Sequence, residues 1–171
     1  MKISLVYLLF CFALYCETPP SQSNFSINNW GAQFAKNQKY ISKSFALPVG
    51  IKGSGKSYYV AQGFGVKNKR FGGNFHLGED WNGAGGGNTD YGDPVYAISS
   101  GLVVFVGFGG PGWGDVVRII HCVKKRNTEI FYESVYGHVS EIFVKEGEFV
   151  SHGQKIASIG DAGGIYPAHL H

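Results

Sequence analysis

The chain predicts an all-β fold, a compact antiparallel β-sandwich or open barrel with Gly-rich loops. Three observations carry this reading. Glycine supplies 26 of the 171 residues, about twice the ~7% usual in globular chains. Aromatic residues are also abundant, at 15%. From Phe45 onward, short apolar runs each close on Gly, Pro, Asn or Asp, and none combines helical length with a 3.6-residue period.

The runs follow one another as 45-FALPV-49, 57-SYYVAQGFG-65, 94-PVYAISSG-101, 102-LVVFVGFG-109, 115-DVVRIIHCV-123, 129-EIFYESVYGHV-139 and 155-KIASIG-160. Several alternate with period two, as strands do. Val95, Ala97 and Ser99 take one face, and Tyr96, Ile98 and Ser100 the other. A faint echo joins 92-GDPVYAI-98 to 153-GQKIASI-159, each with Gly first, an aliphatic residue fourth and Ile seventh.

Ahead of these runs the chain reads as an export signal. Lys2 precedes 3-ISLVYLLFCFALYC-16, an apolar stretch shorter than the ~20 residues of a membrane span and close to a signal h-region. Residues 1–16 are therefore expected as a signal peptide, 17–44 as a polar linker with some local packing around Phe25, Trp30, Phe34 and Tyr40, and 45–171 as the folded domain. Cys16 ends the apolar run and resembles a lipidation site, with simple cleavage and release as the alternative. The protein is expected in the cell envelope or outside the cell.

Only Cys122 of the three cysteines falls in the domain, so no disulfide framework forms there. Cys122 reads as a small buried hydrophobe. The net charge of +3 gives no case for nucleic acid and suits an anionic surface such as a cell wall.

One motif points elsewhere. The stretch 50-GIKGSGKS-57 satisfies G-x-x-x-x-G-K-[ST], the phosphate-binding loop. That chemistry needs a strand before the loop and a helix after it. Here Tyr58, Tyr59 and Val60 follow, which favour a strand, and then Gly63 and Gly65. No nucleotide partner is expected, and the stretch reads as a turn.

The histidines carry more. His76 and Asp80 lie four apart in 76-HLGEDWNG-83, His138 lies in 136-YGHVS-140, and His169 and His171 close the chain in 169-HLH-171. Zinc takes N and O ligands at about 2.0–2.2 Å, and a catalytic site leaves a position open. In a strand, residues two apart share a face, so His169 and His171 project together. His76 and Asp80 would stand ~13 Å apart on a straight strand, and Gly78 between them lets the chain bend. Leu77, Glu79 and Leu170 then turn away. His121 and His152 read as structural or surface residues, Asp90 and Asp93 as turn residues, and Trp81 and Trp113 as core or rim.

Together with 92-GDPVYAISSGLVVFVG-107, 114-GDVVRIIH-121 and 147-GEFVSHGQKIASIGDAGG-164, these motifs make residues 45–171 resemble the lysostaphin-type zinc metallopeptidases, the peptidoglycan endopeptidases. The resemblance implies a compact antiparallel β structure of the duplicated hybrid motif type, with one zinc in a groove. It implies His76, Asp80 and His171 as metal ligands, and His138 and His169 as the groups acting on the water and the transition state. It also implies a strand running on past His171, so the domain 45–171 is expected to be truncated at its C-terminus. The substrate would be a peptide crosslink of peptidoglycan. Loop 82–93 is expected to form one wall of the groove, and Tyr136 to help orient the substrate.

Two alternatives stand beside an enzyme. One is a non-catalytic wall-binding or regulatory protein on the same scaffold, against which the complete set of five residues speaks. The other is a sugar-transport phosphocarrier with paired histidines, against which the export signal and the His76–Asp80 pair speak.

Overall fold

The computed structural model describes residues 27–69 and 72–171. The signal segment 1–16, Cys16 and Phe25 lie outside them. Among the described residues no helix is long and apolar enough to cross a membrane.

Among the described residues one α-helix, α1 (Ile27–Lys36), precedes ten strands. These are β1 (Tyr58–Gln62), β2 (Lys67–Asn68), β3 (Asn74–Phe75), β4 (Asp80–Gly83), β5 (Pro94–Tyr96), β6 (Gly101–Phe108), β7 (Asp115–Lys125), β8 (Thr128–Ile142), β9 (Phe149–Val150) and β10 (Lys155–Ile159). Six of them form an antiparallel sheet in the order β5-β10-β8-β7-β6-β9, curled into a half-barrel. β1 pairs with β4, and β2 with β3, as two small antiparallel ribbons. The expected all-β, open antiparallel architecture is what the chain adopts.

Burial follows the alternation read from sequence. Val95, Ala97 and Ser99 are fully buried while Tyr96, Ile98 and Ser100 keep some exposure. The middle strands bury both faces. Val103, Val117 and Ile119 pack with Val95, Ile156, Ile159 and Leu170 in the main core, and Leu102, Ile120 and Cys122 form a second cluster. A strand with both faces covered reads as a nearly continuous apolar run, as 102-LVVFV-106 does.

The second cluster is covered from the stretch expected as a linker. Residues 30–42 pack on the sheet rather than hanging free of it. Trp30 and Phe34, one helical turn apart, lie on one face of α1. Both meet Phe131, at ring-centroid distances of 6.2 and 6.1 Å. Phe34 also meets Phe149 edge-on at 5.3 Å and is fully buried. The Ser42 N–H donates to Cys122 O at 2.8 Å, so the chain beyond the helix is tied to β7.

Two apolar-run expectations differ. The run 45-FALPV-49 forms no strand: Pro48 has no N–H to give a ladder, and Ala46 and Leu47 donate instead to Ile98 O and Gly53 O. The runs 115–123 and 129–139 lengthen into one long hairpin, β7 and β8, with the charged stretch Lys124–Arg126 at its tip. The stretch 50–57 makes a tight 3-10 turn at Ile51–Gly53 with left-handed backbone at Gly50, Lys52, Gly53, Gly55 and Ser57. It enters β1 directly, without a helix, as a turn would.

Two isolated antiparallel bridges finish the frame. Leu170 pairs with Trp81 of β4, and His169 with Gly160 at the end of β10. They stretch residues 168–171 between the six-stranded sheet and the β1–β4 ribbon.

Candidate metal centre

His76 follows β3, and its backbone is fixed by bonds to and from the chain at 65–66. Its N–H donates to Val66 O at 2.9 Å, and its carbonyl accepts from the Gly65 N–H at 2.8 Å. The ring Nδ1–H donates to Gly63 O at 3.1 Å, leaving Nε2 with its lone pair. Asp80 opens β4. Gly78 between them lets the His171 ring pack close, because a Cβ there would stand 2.9 Å from His171 Nε2. His171 is held by the Gly137 N–H, which donates to His171 O at 2.7 Å.

These elements bring three donor atoms together. His76 Nε2 lies 3.0 Å from Asp80 Oδ1 and 3.0 Å from His171 Nδ1. His171 Nδ1 lies 2.9 Å from Asp80 Oδ1. Tetrahedral zinc with bonds of ~2.0–2.1 Å holds its donors about 3.3 Å apart, so this triangle fits the ion with a few tenths of an ångström of expansion. Two imidazole nitrogens and one carboxylate oxygen are a donor set zinc accepts, and three protein donors leave the fourth corner open.

The two remaining predicted histidines stand beside this triangle. His169 Nε2 lies 3.5 Å from Asp80 Oδ1, and its Nδ1–H donates to Pro167 O at 2.8 Å. His138 is positioned by a β-bulge. The β7–β8 register runs Asp115↔Val139 and then Val117↔Tyr136, so β8 carries an extra residue at 137–138. His138 takes φ +60° there, and both its N–H and its Nδ1–H donate to Trp113 O, at 2.9 and 3.0 Å. The bulge aims the ring at the site, with centroids 4.7 Å from His169 and 5.4 Å from His171. Backbone acceptors thus fix the tautomers of His76, His138 and His169, the arrangement that usually supports metal-site histidines.

The charges follow the geometry. Burial would raise the Asp80 carboxyl, but hydrogen bonds from His169 and His171, with the His169 and His76 rings nearby, outweigh it and hold the group well below the usual carboxylate range. Burial pushes His138 down to about 4, with the Trp113 carbonyl opposing it. Burial also works against charging His169, yet the Asp80 carboxylate and the Pro167 carbonyl prevail and raise it.

The groups open into a groove of about 350 Å³. Its sides hold Gln62, Asn68, Asn74 and Phe75 on the β1–β3 segment and Gly112, Trp113 and Tyr166 opposite.

The sequence pattern of Peptidase family M23 matches residues 74–171, which contain all five of these residues. The chain belongs to peptidase family M23. It is 42% identical over 72 residues to the lipoprotein NlpD/LppB homolog of Pseudomonas aeruginosa, covering 42% of this chain and 22% of that protein. It is 40% identical over 80 residues to the peptidoglycan DD-endopeptidase ShyA of Vibrio cholerae, covering 47% and 17%. The chain therefore matches only 22% and 17% of the length of these two relatives. Among solved structures, a zinc containing peptidase from Vibrio cholerae aligns with TM-score 0.58 at 31% identity, covering 76% of this chain and 36% of that one. Lysostaphin from Staphylococcus simulans aligns with TM-score 0.58 at 27% identity, covering 77% and 46%. The resemblance to lysostaphin-type peptidases read from the motifs is borne out.

Several finer expectations for this M23 domain are corrected. Tyr136 does not reach the groove. It is buried in the core, its Oη accepting from the Ile98 N–H at 3.0 Å. No residue of loop 82–93 lines the groove either. That loop props the site from behind: Asn88 Oδ1 accepts from the Ala168 N–H, and Asp90 Oδ2 from the Gly83 N–H, both at 2.8 Å. Asp90 and Asp93 lie outside the cluster of donor atoms, as expected, and Asp93 accepts from the Tyr58 hydroxyl at 2.6 Å. Glu79 points away and accepts from Trp81 Nε1–H at 3.2 Å. Trp113 forms part of the rim, edge-on to His171 at 4.9 Å. His121 is a buried structural residue between Ser100 O and Ser134 Oγ. Tyr166 was missed, because a tyrosine three residues before a histidine carries no periodic or spacing signal.

Proposed function

We propose that this chain is a zinc-dependent metalloendopeptidase of the cell envelope that hydrolyses peptide crosslinks of bacterial peptidoglycan. The observation that carries the reading is the His76–Asp80–His171 triangle with two backbone-oriented imidazoles, His138 and His169, on the same groove. A non-catalytic scaffold would have no need of that full set. The family, the peptidoglycan substrate named for ShyA and the zinc named for the Vibrio cholerae structure support the reading from outside.

In this account His76 Nε2, Asp80 Oδ1 and His171 Nδ1 hold one zinc per chain. Zinc supplies Lewis acidity, lowering the pKa of water toward ~7. The protein supplies the proton handling. With Nδ1–H given to backbone carbonyls, His138 and His169 each present Nε2 to the groove. One takes the proton of the attacking water and the other serves the departing amine. The groove sides hold an extended peptide with its carbonyl facing the imidazoles. Cys16 is the proposed lipid anchor, tethering the domain within reach of the wall.

The test is to incubate the zinc-loaded protein with crosslinked peptidoglycan and weigh the fragments. Crosslinked dimers should fall to monomers with one water added per cut. Zinc bound at one per chain with no cut in any crosslink would favour the non-catalytic scaffold instead.

A further inference from the structure

Amide hydrolysis makes three demands on a site of this kind. The water oxygen bonds to the carbonyl carbon, the C–N bond breaks, and the proton lost by water ends on the amine nitrogen. Between these events negative charge sits on the carbonyl oxygen, and a preorganised donor there accelerates reaction. Two imidazoles provide for the two proton movements. A third donor is wanted for the oxygen.

Tyr166 lines the same groove as the two imidazoles. It is the one hydroxyl-bearing side chain among the described residues that line the groove. Its ring lies 5.0 Å from the His138 ring and 5.9 Å from the His169 ring, so it borders both non-ligand imidazoles. Its hydroxyl extends toward Gly112, where a Cβ would come within 3.2 Å of it. The loop that carries it is held in place from within and beyond. The Tyr166 N–H donates to Asp161 O at 3.1 Å, the Gly164 N–H to Asp161 Oδ1 at 2.9 Å, and the Ala168 N–H to Asn88 Oδ1 at 2.8 Å. A half-exposed phenol on a braced loop is preorganised without being sealed off.

We propose that the Tyr166 hydroxyl donates a hydrogen bond to the carbonyl oxygen of the scissile peptide bond, making Tyr166 a substrate-contacting catalytic residue. The proposal rests on the hydrolase reading above. The ring also bounds the groove beside His138, so it limits the bulk of the residue that supplies that carbonyl.

The experiment compares wild-type protein with Tyr166→Phe and Tyr166→Ala, using a soluble crosslinked peptidoglycan fragment. Tyr166→Phe should keep one zinc per chain and a KM within twofold of wild type, while kcat falls on the order of 10²-fold. A kcat drop smaller than tenfold would overturn the proposal, as would loss of zinc, which would show a packing role. Failure of the hydrolase reading looks different: wild type itself would bind zinc and cut nothing. In that event fragment binding decides. Tyr166→Ala should then weaken Kd at least fivefold, and an unchanged Kd would overturn the contact.

Discussion

His169 and His171 share one short extended segment yet have different tasks in this account. His171 turns Nδ1 to Asp80 at 2.9 Å, whereas His169 stands back at 3.5 Å with its other nitrogen bonded to the Pro167 carbonyl. Two consequences follow for the site. His76→Ala and Asp80→Ala should each drop zinc well below one per chain by metal analysis; full occupancy in both would remove the ligand assignment. His169→Ala should keep its zinc and lose about 10²–10⁴-fold in kcat, the range for a positioned acid or base. Wild-type turnover in that variant would end its role. At this scale the sequence was legible where types and spacings speak for themselves: His76 with Asp80, and His169 with His171. It was not legible for Tyr136, expected at the substrate but buried in the core, or for Tyr166, for which the sequence offered no expectation. Tyr136 sits beside His138 in the chain but on the core side of β8, and Tyr166 reaches the groove only through the fold of a loop.

The elements explain what spacing alone does not. His138 lies in a strand whose plain alternation would not set it apart from its neighbours. The extra residue in β8 and the left-handed backbone at His138 turn the ring to the site. That bulge lies against β10, where a Cβ on Gly160 would come within 2.5 Å of His138 O. Gly160→Ala should therefore push the His138 backbone away and cut kcat at least tenfold while zinc remains bound; unchanged kcat would show that the bulge tolerates displacement. α1 makes a second case. Its sequence, rich in Asn and Gln, looks like linker, and only Trp30 and Phe34 reveal a packing face. Phe34→Ala should destabilise the domain by about 3–5 kcal/mol, as loss of a buried aromatic does, read from denaturant melts. A change under about 1 kcal/mol would mean that the Phe34 packing contributes little to stability.

For the molecule as a whole, the half-barrel was readable because strands with period two and Gly-rich turns are local signals. The strand order was not, since the pairing of β10 between β5 and β8 depends on contacts far apart in sequence. The fold also makes stability depend on pH. His121 is fully buried and burial lowers its pKa, so the unfolded chain, near the ordinary ~6.5, takes the proton first. Stability is then undiminished above about pH 6.5 and falls as pH drops below it toward the folded pKa. Melts with chelator present, so that metal release adds nothing, should show this fall between pH 7 and 5, to which His138, also lowered by burial, adds its share, and His121→Gln should make it shallower. A flat wild-type profile would contradict the linkage. The whole arrangement, from bulge to terminal His171, serves one end in this account: cutting a peptide bond with a metal held by three residues. Mass analysis of crosslinked peptidoglycan before and after treatment with the zinc-loaded protein tests this most directly. The account predicts crosslinked dimers converted to monomers with one water gained per cut, abolished by chelator and restored by zinc. Unaltered crosslinks under full zinc occupancy, or cutting that persists in Asp80→Ala, would contradict it.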